Sequence, residues 1–493
     1  MGIVKKQSIQ SSVVIYAGFL IGALNTLHFF PHFFTKEQFG LTRLLIEVCL
    51  TLSTLCTLGT IPVINKFFPF YQDFLHARKN DLPFLTVLIS LTGYGLFVIC
   101  SLLFKDLIIR KFSGNSPLFI QYFYLVYPFT FFMLAFNMLE SFSWGLQKTV
   151  ISNFLKETGV RIITVFLILG VILHWLNFSQ FINLYGFLYA IPCIILLLYL
   201  KRTGQLFLLP GISKVTRRLY KRMLSFSGYV FSANVFNILA RSIDVIFISG
   251  MSGLGNAGIF SIGLYTATVL DVPQRSMASI TTPLLARAWK NKDLEQIDDL
   301  YQKSSLNLLI FGLLIFGVIW INIQNLVAFL PAGYEMVKPV MLVLGIAKLI
   351  DLGTGVNNQI IQTSKFWRFD FLCSVLLVCL TIPLNYMLIK RMGMIGSAYA
   401  TLISLTTFNV IRFLFIRLRF GFFPFSYKTL VAILLAALFI FLVSFLPFCL
   451  NIYIDTVIRG SIFLLAFGGC VLGLRLSEDI SQMAQGFFKK PTL

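Results

Sequence analysis

The sequence predicts an all-α protein that crosses a membrane many times, with about 14 transmembrane helices. Of its 493 residues, 57% are hydrophobic and only 12% are charged, and the mean hydropathy is +0.85. Soluble domains carry about 25% charged residues. Apolar windows of about 20 residues, the length that spans a bilayer, lie near 8–30, 41–65, 82–104, 118–139, 159–176, 180–200, 223–249, 255–282, 305–330, 337–362, 366–389, 395–416, 428–450 and 455–474.

An internal repeat groups these helices into two sets of six. Residues 125–154 align without a gap onto residues 342–371, and shorter matches occur at nearly the same offset. Six is an even number, so both halves have the same orientation, and we expect a pseudo-twofold axis along the membrane normal with a site between the halves. The sequence therefore predicts an N-terminal lobe at 1–212, a C-terminal lobe at 213–420, and two further helices with a cytoplasmic tail at 421–493.

The basic residues predict the orientation of the chain. The net charge is +21, and most of the 40 Lys and Arg residues fall in cytoplasmic segments when the N-terminus is placed inside. The positive-inside rule then places both termini in the cytoplasm. The excess charge indicates contact with anionic phospholipid headgroups rather than with nucleic acid.

Polar residues on the first two predicted helices mark the beginning of a candidate site. Asn25 lies on the first helix, and Arg43 and Glu47 lie one turn apart on the second. Lipid cannot satisfy such groups, so they are expected to face protein or water. Arg43 and Glu47 are spaced to form a pair.

The seventh to tenth predicted helices carry more charge than their counterparts in the first half. The seventh helix bears a polar stripe whose spacing keeps it on one face, formed by Asn234, Asn237, Arg241 and Asp244. Three acid and base pairs follow helical spacing, namely Arg241 with Asp244, Asp271 with Arg275, and Lys348 with Asp351. Such pairs can simply neutralise each other, but a buried pair is a weak source of stability. The pattern therefore favours a functional cavity.

Several kinds of chemistry have no motif in the sequence. The 493 residues contain no GxxxxGK[ST], HExxH or GxSxG motif, and the eight cysteines show no CxxC or other metal-ligand spacing. These motifs carry ATP hydrolysis, zinc-dependent hydrolysis and serine hydrolysis. We therefore expect a transporter that is not an enzyme and that uses no metal or cofactor.

Five stretches carry a family resemblance: FTKEQFGLTRLL, LGTIPVINKFFPFY, IDVIFISGMSGLGNAGIFSIG, TTPLLARAW and PLNYMLIKRMGMIGSAYATLIS. They resemble the bacterial polysaccharide flippases, the Wzx-type exporters of O-antigen and exopolysaccharide, in the multidrug/oligosaccharidyl-lipid/polysaccharide exporter superfamily. The resemblance implies two six-helix lobes around a cavity, in the bacterial inner membrane. It implies alternating access that moves a polyprenyl-pyrophosphate-linked oligosaccharide from the cytoplasmic to the periplasmic leaflet, with the polysaccharide polymerase machinery as a candidate partner.

The resemblance also implies roles for individual residues. Family members place Arg or Lys on the pyrophosphate from the first, second, seventh and eighth helices, and Arg43, Arg241 and Arg275 match by position, with Lys348 adding to the field. The first helix offers Asn25 but no Arg. Partners for the glycan are Tyr229, Asn234, Asn237 and Tyr265. Candidates for orienting the arginines or for coupling to H⁺ or Na⁺ are Glu47, Asp244, Asp271 and Asp351, although the membrane potential alone could drive export.

Two other functions stay open at this stage. A multidrug or small-cation antiporter of the same superfamily would use the acidic residues on its substrate, but three basic residues in the spans oppose a cationic cargo. The second alternative is a membrane glycosyltransferase or polymerase, although the predicted outer loops lack a paired-acid motif that would hold a metal.

Overall fold

The computed structural model describes residues 14–76, 79–146, 148–204, 207–208, 210–447 and 451–482, except for the side chain of Ser279. Within these ranges the ordered elements are helices, and no strand occurs. The prediction of an all-α protein is confirmed. The chain forms two compact units, Met1–Gly258 and Ile259–Leu493. The lobe boundaries predicted from the repeat stay predictions.

Within the described residues the first unit contains eleven α-helices and two π-helical turns, of which Leu24–Phe29 lies inside the first helix. They are α1 Val14–Phe33, α2 Lys36–Cys56, α3 Thr60–Phe74, α4 Leu82–Leu103, α5 Lys105–Phe112, α6 Pro117–Gln121, α7 Phe123–Gly145, α8 Thr149–Asn153, the π-helical turn Phe154–Gly159, α9 Val160–Ile172, α10 Phe178–Arg202 and α11 Lys214–Ser252. Its core is formed by side chains of α3, α7 and α10, among them Phe68, Phe136, Phe142 and Leu196. The long helix α11 packs against α2 and α3.

The helix α12, Leu254–Thr268, begins in the first unit and continues into the second, which starts at Ile259. The remaining helices are α13 Asp271–Asn291, α14 Leu294–Ile321, α15 Ile323–Phe329, α16 Val337–Gly353, α17 Asn357–Thr363, α18 Trp367–Met392, α19 Met394–Phe420, α20 Tyr427–Ser444 and α21 Ile452–Gly473. The last two helices pack on α14 around Phe463 and Phe467.

The helices agree with the predicted membrane spans. In the described part of the chain, 11 helices are long and apolar enough to cross a membrane, or 12 if α16 and α17, bent by 48°, form one span. The windows near 159–176 and 255–282 are helical too, but they are broken into shorter helices: α9 has 13 residues and α12 has 15. The chain is a multi-pass membrane protein.

The second predicted span differs from the window that predicted it. Hydropathy gives one segment at 41–65, whereas the structure ends α2 at Cys56 and starts α3 at Thr60. Leu58 has φ of 46° and Gly59 has φ of 82°, so two successive residues lie in the left-handed region that ends helices. An added Cβ at Gly59 would lie 2.1 Å from Ser227 Oγ. Glycine is therefore required there both by φ and by space.

Candidate functional site

The predicted site residues fall into two groups, one in each compact unit. The first unit holds Asn25, Arg43, Glu47, Tyr229, Asn234, Asn237, Arg241 and Asp244, and the second holds Tyr265, Asp271, Arg275, Lys348 and Asp351.

Arg43 on α2 is held by a hydrogen bond to α1 and by aromatic contacts. A capping box between Thr35 and Gln38 sets the start of α2, and two turns later Arg43 is half-buried. Its Nη2 donates to Thr26 Oγ1 at 2.7 Å, and its guanidinium carbon lies 4.9 Å from the centre of the Phe39 ring. Thr26 belongs to a π-helical stretch, Leu24–Phe29, a local widening common at functional sites. The structure thus holds a cation against an aromatic face.

Asn25 lies beside Thr26 in the same stretch and is buried, with 3% of its surface exposed. Its Nδ2 donates to the carbonyl of Arg161 at 3.1 Å. Its Oδ1 accepts no hydrogen bond from the described residues. One polar atom of Asn25 therefore has a structural hydrogen bond, and the other is buried without a partner among the described residues.

Glu47 links α2 to α11. Its Oε2 accepts a hydrogen bond from Ser242 Oγ at 2.6 Å, and the charges of Arg43 and Arg241 both act on it. A hydroxyl that donates to a carboxylate forms one of the stronger hydrogen bonds in proteins. The sequence placed Glu47 beside Arg43 but did not identify Ser242, which directly follows Arg241 and lies outside the polar stripe.

The polar stripe of α11 is divided between exposed and buried positions. Asn234, Asn237 and Arg241 are exposed, and Tyr229 is 50% exposed. Asp244 is only 3% exposed. The difference arises because the C-terminal part of α11 is packed against other helices. Ser242 donates to Glu47 of α2, and the carbonyl of Ser249 accepts from Ser116, whereas the middle of α11 is less covered.

Arg241 therefore has an exposed guanidinium in the middle of a hydrophobic helix. Among the described residues it forms no ion pair. The spacing that suggested a pair with Asp244 does not produce one within 4 Å. Arg241 acts on Glu47 through its charge but forms no ion pair with it, so its guanidinium can bind an anionic ligand without first breaking an ion pair.

In the second unit the charges pair between helices. Lys348 Nζ on α16 donates to Asp271 Oδ2 on α13 at 2.8 Å, and the two side chains are 21% and 17% exposed. The spacing had suggested that Asp271 pairs with Arg275 on its own helix. Arg275 is instead exposed, and it joins no ion pair within the part of the chain that the structure describes.

Asp351 lies in a hydrogen-bond network that the sequence did not reveal. Its Oδ1 accepts from Asn409 Nδ2 at 2.8 Å, and its Oδ2 accepts from Gln274 Nε2 at 3.2 Å. Asn409 Oδ1 in turn accepts from Asn357 Nδ2 at 3.0 Å. The available signal was the spacing of Asn409 and Arg412 on α19, three residues apart.

Arg412 is a further buried charged residue within the spans of the second unit. It is 5% exposed and forms an ion pair with Asp370, while its Nη2 also donates to Asn358 Oδ1 at 3.1 Å. Tyr265 on α12 is half-buried. Among the described residues, no group of three or more His, Cys, Asp or Glu side chains is placed to hold a metal ion.

The chain resembles a known protein family in sequence and several solved transporters in fold. The profile of a family described as "Polysaccharide biosynthesis protein" matches residues 4–289. No curated protein matches the chain. Among solved structures, the fold is similar to the lipid II flippase MurJ in an inward closed conformation, with a TM-score of 0.72 and 14% identity over 96% of this chain and 99% of that one.

Two transporters show the same fold at lower similarity. A multidrug resistance MATE family transporter in an inward-facing conformation gives a TM-score of 0.63 and 14% identity, over 84% of this chain and 94% of that one. A MOP superfamily transporter from Pyrococcus furiosus, whose binding pocket of reverse polarity suggests a different function, gives 0.57 and 15% identity, over 85% and 96%. At these identities the likeness concerns the fold alone.

Proposed function

The chain belongs to the polysaccharide biosynthesis protein family, and on this basis we propose that it is a flippase for a lipid-linked glycan. It moves a polyprenyl-pyrophosphate-linked oligosaccharide, for O-antigen or exopolysaccharide, from the cytoplasmic to the periplasmic leaflet of the bacterial inner membrane. The observation that carries the proposal is the exposed Arg241 on a polar face of α11, without an ion-pair partner in the described residues. The fold shared with a lipid II flippase supports it.

The chemistry of the headgroup explains why arginine is needed. A pyrophosphate diester carries about two negative charges, and an unpaired charge in the membrane interior costs many kcal/mol. A guanidinium stays protonated and binds phosphate oxygens in a fork. Arg241 in the first unit is exposed and forms no ion pair within the described residues, so we infer that it binds the pyrophosphate directly. Arg275 in the second unit has the same two properties and is a separate candidate for the same role. Arg43 donates to Thr26 and Lys348 donates to Asp271, so these two residues contribute positive charge without binding the pyrophosphate directly.

The glycan meets neutral polar groups on the same helix. Tyr229, Asn234 and Asn237 are exposed along α11 and offer amide and hydroxyl groups to sugar hydroxyls. The half-buried Tyr265 is a further candidate, and Asn25 would have to be uncovered before its buried Oδ1 could contact a sugar. Alternating access carries the headgroup across while the polyprenyl tail stays in lipid.

The membrane potential supplies a driving force. Moving a negative charge outward from a cell with a negative interior gains about 2.3 kcal/mol per charge per 100 mV. Coupling to H⁺ or Na⁺ would use Glu47, Asp244, Asp271 or Asp351. Of these acids, Glu47 accepts a hydrogen bond from Ser242, and Asp271 accepts one from Lys348.

The second candidate is a multidrug or small-cation antiporter, which the fold shared with MATE transporters favours. Exposed arginines repel a cationic cargo, so the two candidates differ in which residues matter. The flippase requires Arg241 and Arg275, whereas the antiporter requires the acids.

Complementation of a deletion strain tests the proposal. We expect Arg241→Gln and Arg275→Gln each to reduce surface glycan at least tenfold and to accumulate full-length lipid-linked units inside. The matched control is Arg217→Gln, which removes one exposed charge from the same helix α11 and should export normally. Normal glycan export by both variants would reject the pyrophosphate role. Loss of drug resistance instead would favour the antiporter, and truncated lipid-linked units in the deletion strain would favour a glycosyltransferase.

A further inference from the structure

A basic groove lies between α3 and the first turns of α11, in the first compact unit. The name refers to the cleft lined by Lys66, Phe67, Phe70, Lys221, Arg222 and Phe226. Its volume is about 570 Å³. None of the candidate site residues lines it, and its α3 wall belongs to the LGTIPVINKFFPFY stretch of the family resemblance.

The groove combines positive charge with aromatic surface. Lys66 Nζ lies 3.8 Å from the centre of the Phe226 ring and 5.7 Å from that of Phe67. Within the described residues, Lys66, Lys221 and Arg222 form no ion pair with a carboxylate. The groove thus offers three uncompensated cations to an anion and an aromatic wall to an apolar chain.

Hydrogen bonds fix the two walls at both ends of the groove. At one end, Tyr71 and Thr216 are joined through their hydroxyls at 2.7 Å. Asp81 accepts from Thr216 Oγ1 at 2.7 Å and is only 4% exposed. At the other end, Ser227 Oγ donates to the carbonyl of Gly59 at 3.0 Å. The groove between these contacts is therefore preformed, which lowers the entropic cost of binding.

The position of the groove along the chain indicates which anion it meets. The positive-inside rule assigns both of its walls to the cytoplasmic side. Arg222 and Arg241 belong to the same helix α11 and are separated by roughly 28 Å along its axis at 1.5 Å per residue, while their directions about the axis differ by about 100° at 3.6 residues per turn. A ligand bound in the groove would thus lie on the cytoplasmic part of the same helix that carries Arg241 further along its axis.

We propose that the basic groove binds the pyrophosphate end of the lipid-linked substrate in the cytoplasmic leaflet, before the headgroup reaches Arg241. This inference rests on the proposed function. Three cations match a group with about two negative charges, and the phenylalanine side chains contact the first isoprene units of the tail. An anionic phospholipid is the competing occupant, because basic pockets on the cytoplasmic side also attract such headgroups.

The test measures lipid binding by the full-length protein in phosphatidylcholine nanodiscs. Native mass spectrometry gives the dissociation constants for polyprenyl pyrophosphate and for phosphatidylglycerol. We expect Lys66→Gln with Arg222→Gln to weaken binding of polyprenyl pyrophosphate by about 25-fold, from about fivefold for each charge near the surface. The control pair, Lys79→Gln with Arg217→Gln, removes two exposed charges outside the groove, one from the connection that follows α3 and one from α11, and should change binding less than twofold.

The outcomes separate the groove from the function. Equal weakening by both pairs, or weakening for phosphatidylglycerol alone, would overturn the groove proposal. If wild-type protein binds polyprenyl pyrophosphate and only Arg241→Gln reduces it, the groove proposal fails while the flippase proposal stands. If wild-type protein does not bind polyprenyl pyrophosphate and the deletion strain exports glycan normally, both fail. Elution of each variant as a single folded species confirms that lost binding is not unfolding.

Discussion

A buried ion pair near the C-terminal end of the chain allows a quantitative prediction about stability. Arg459 and Asp455 are each 2% exposed, and Arg459 Nε lies 2.8 Å from Asp455 Oδ2. Asp455 also accepts from Asn325 Nδ2 at 2.7 Å. Arg459 donates to the carbonyls of Val443 at 3.3 Å and Leu446 at 2.6 Å, at the end of α20. One guanidinium thus joins α21 to α20, and one carboxylate joins α21 to α15.

Asp455→Asn leaves the Arg459 guanidinium buried without its counter-charge. Breaking one side of a buried pair costs about 3–5 kcal/mol, because the remaining charge cannot be hydrated. Asn325→Ala removes only one hydrogen bond to a charged group, which costs about 1.5–3 kcal/mol. The double variant Asp455→Leu with Arg459→Met removes both charges, and such apolar replacements are often neutral. We therefore expect the double variant to be more stable than Asp455→Asn.

Thermal unfolding in detergent, followed by intrinsic fluorescence, gives this order directly. The expected order of midpoints is wild type, then Asn325→Ala, then Asp455→Asn, with the double variant above Asp455→Asn. A midpoint of Asp455→Asn equal to that of the wild type would show that the pair is hydrated. A double variant less stable than the single one would show that the carbonyl contacts of Arg459 outweigh the charge pairing.

Three further predictions concern the charged residues of the candidate site. Ser242→Ala removes the donor to Glu47 and should cost about 1.5–3 kcal/mol of thermal stability, whereas Ser242→Thr should retain most of it. Lys348→Gln leaves Asp271 unpaired and should lower the unfolding midpoint, and adding Asp271→Asn should recover much of the loss; no recovery would contradict the pairing at 2.8 Å. Arg241→Lys keeps the charge but loses the fork, so glycan export should fall between wild type and Arg241→Gln, and equal export by Arg241→Lys and wild type would argue against bidentate binding.

Hydropathy predicted where the helices lie but not where they break. Each apolar window corresponds to helix in the structure, because burial in lipid requires a long apolar segment with its backbone hydrogen bonds closed internally. The break at Leu58 and Gly59 depends on two backbone angles, and an apolar average over 41–65 does not register them.

Charge spacing selected the candidate residues, but it did not predict their partners. Asp271 was assigned to Arg275 because the two are one turn apart, yet it pairs with Lys348 on another helix. Asp351 bonds Asn409, 58 positions away. Spacing along one helix determines which residues share a face, but it carries no information about which helix that face meets.

The close approach of Gly59 to Ser227 has an evolutionary consequence. A side chain at position 59 would have to tolerate a left-handed backbone and displace the hydroxyl of Ser227. Homologous sequences should therefore keep glycine at position 59 together with a small residue at 227, even where Lys66, Lys221 and Arg222 have been exchanged. Loss of the two small residues would mark homologues that have separated α3 from α11, whatever glycan they handle.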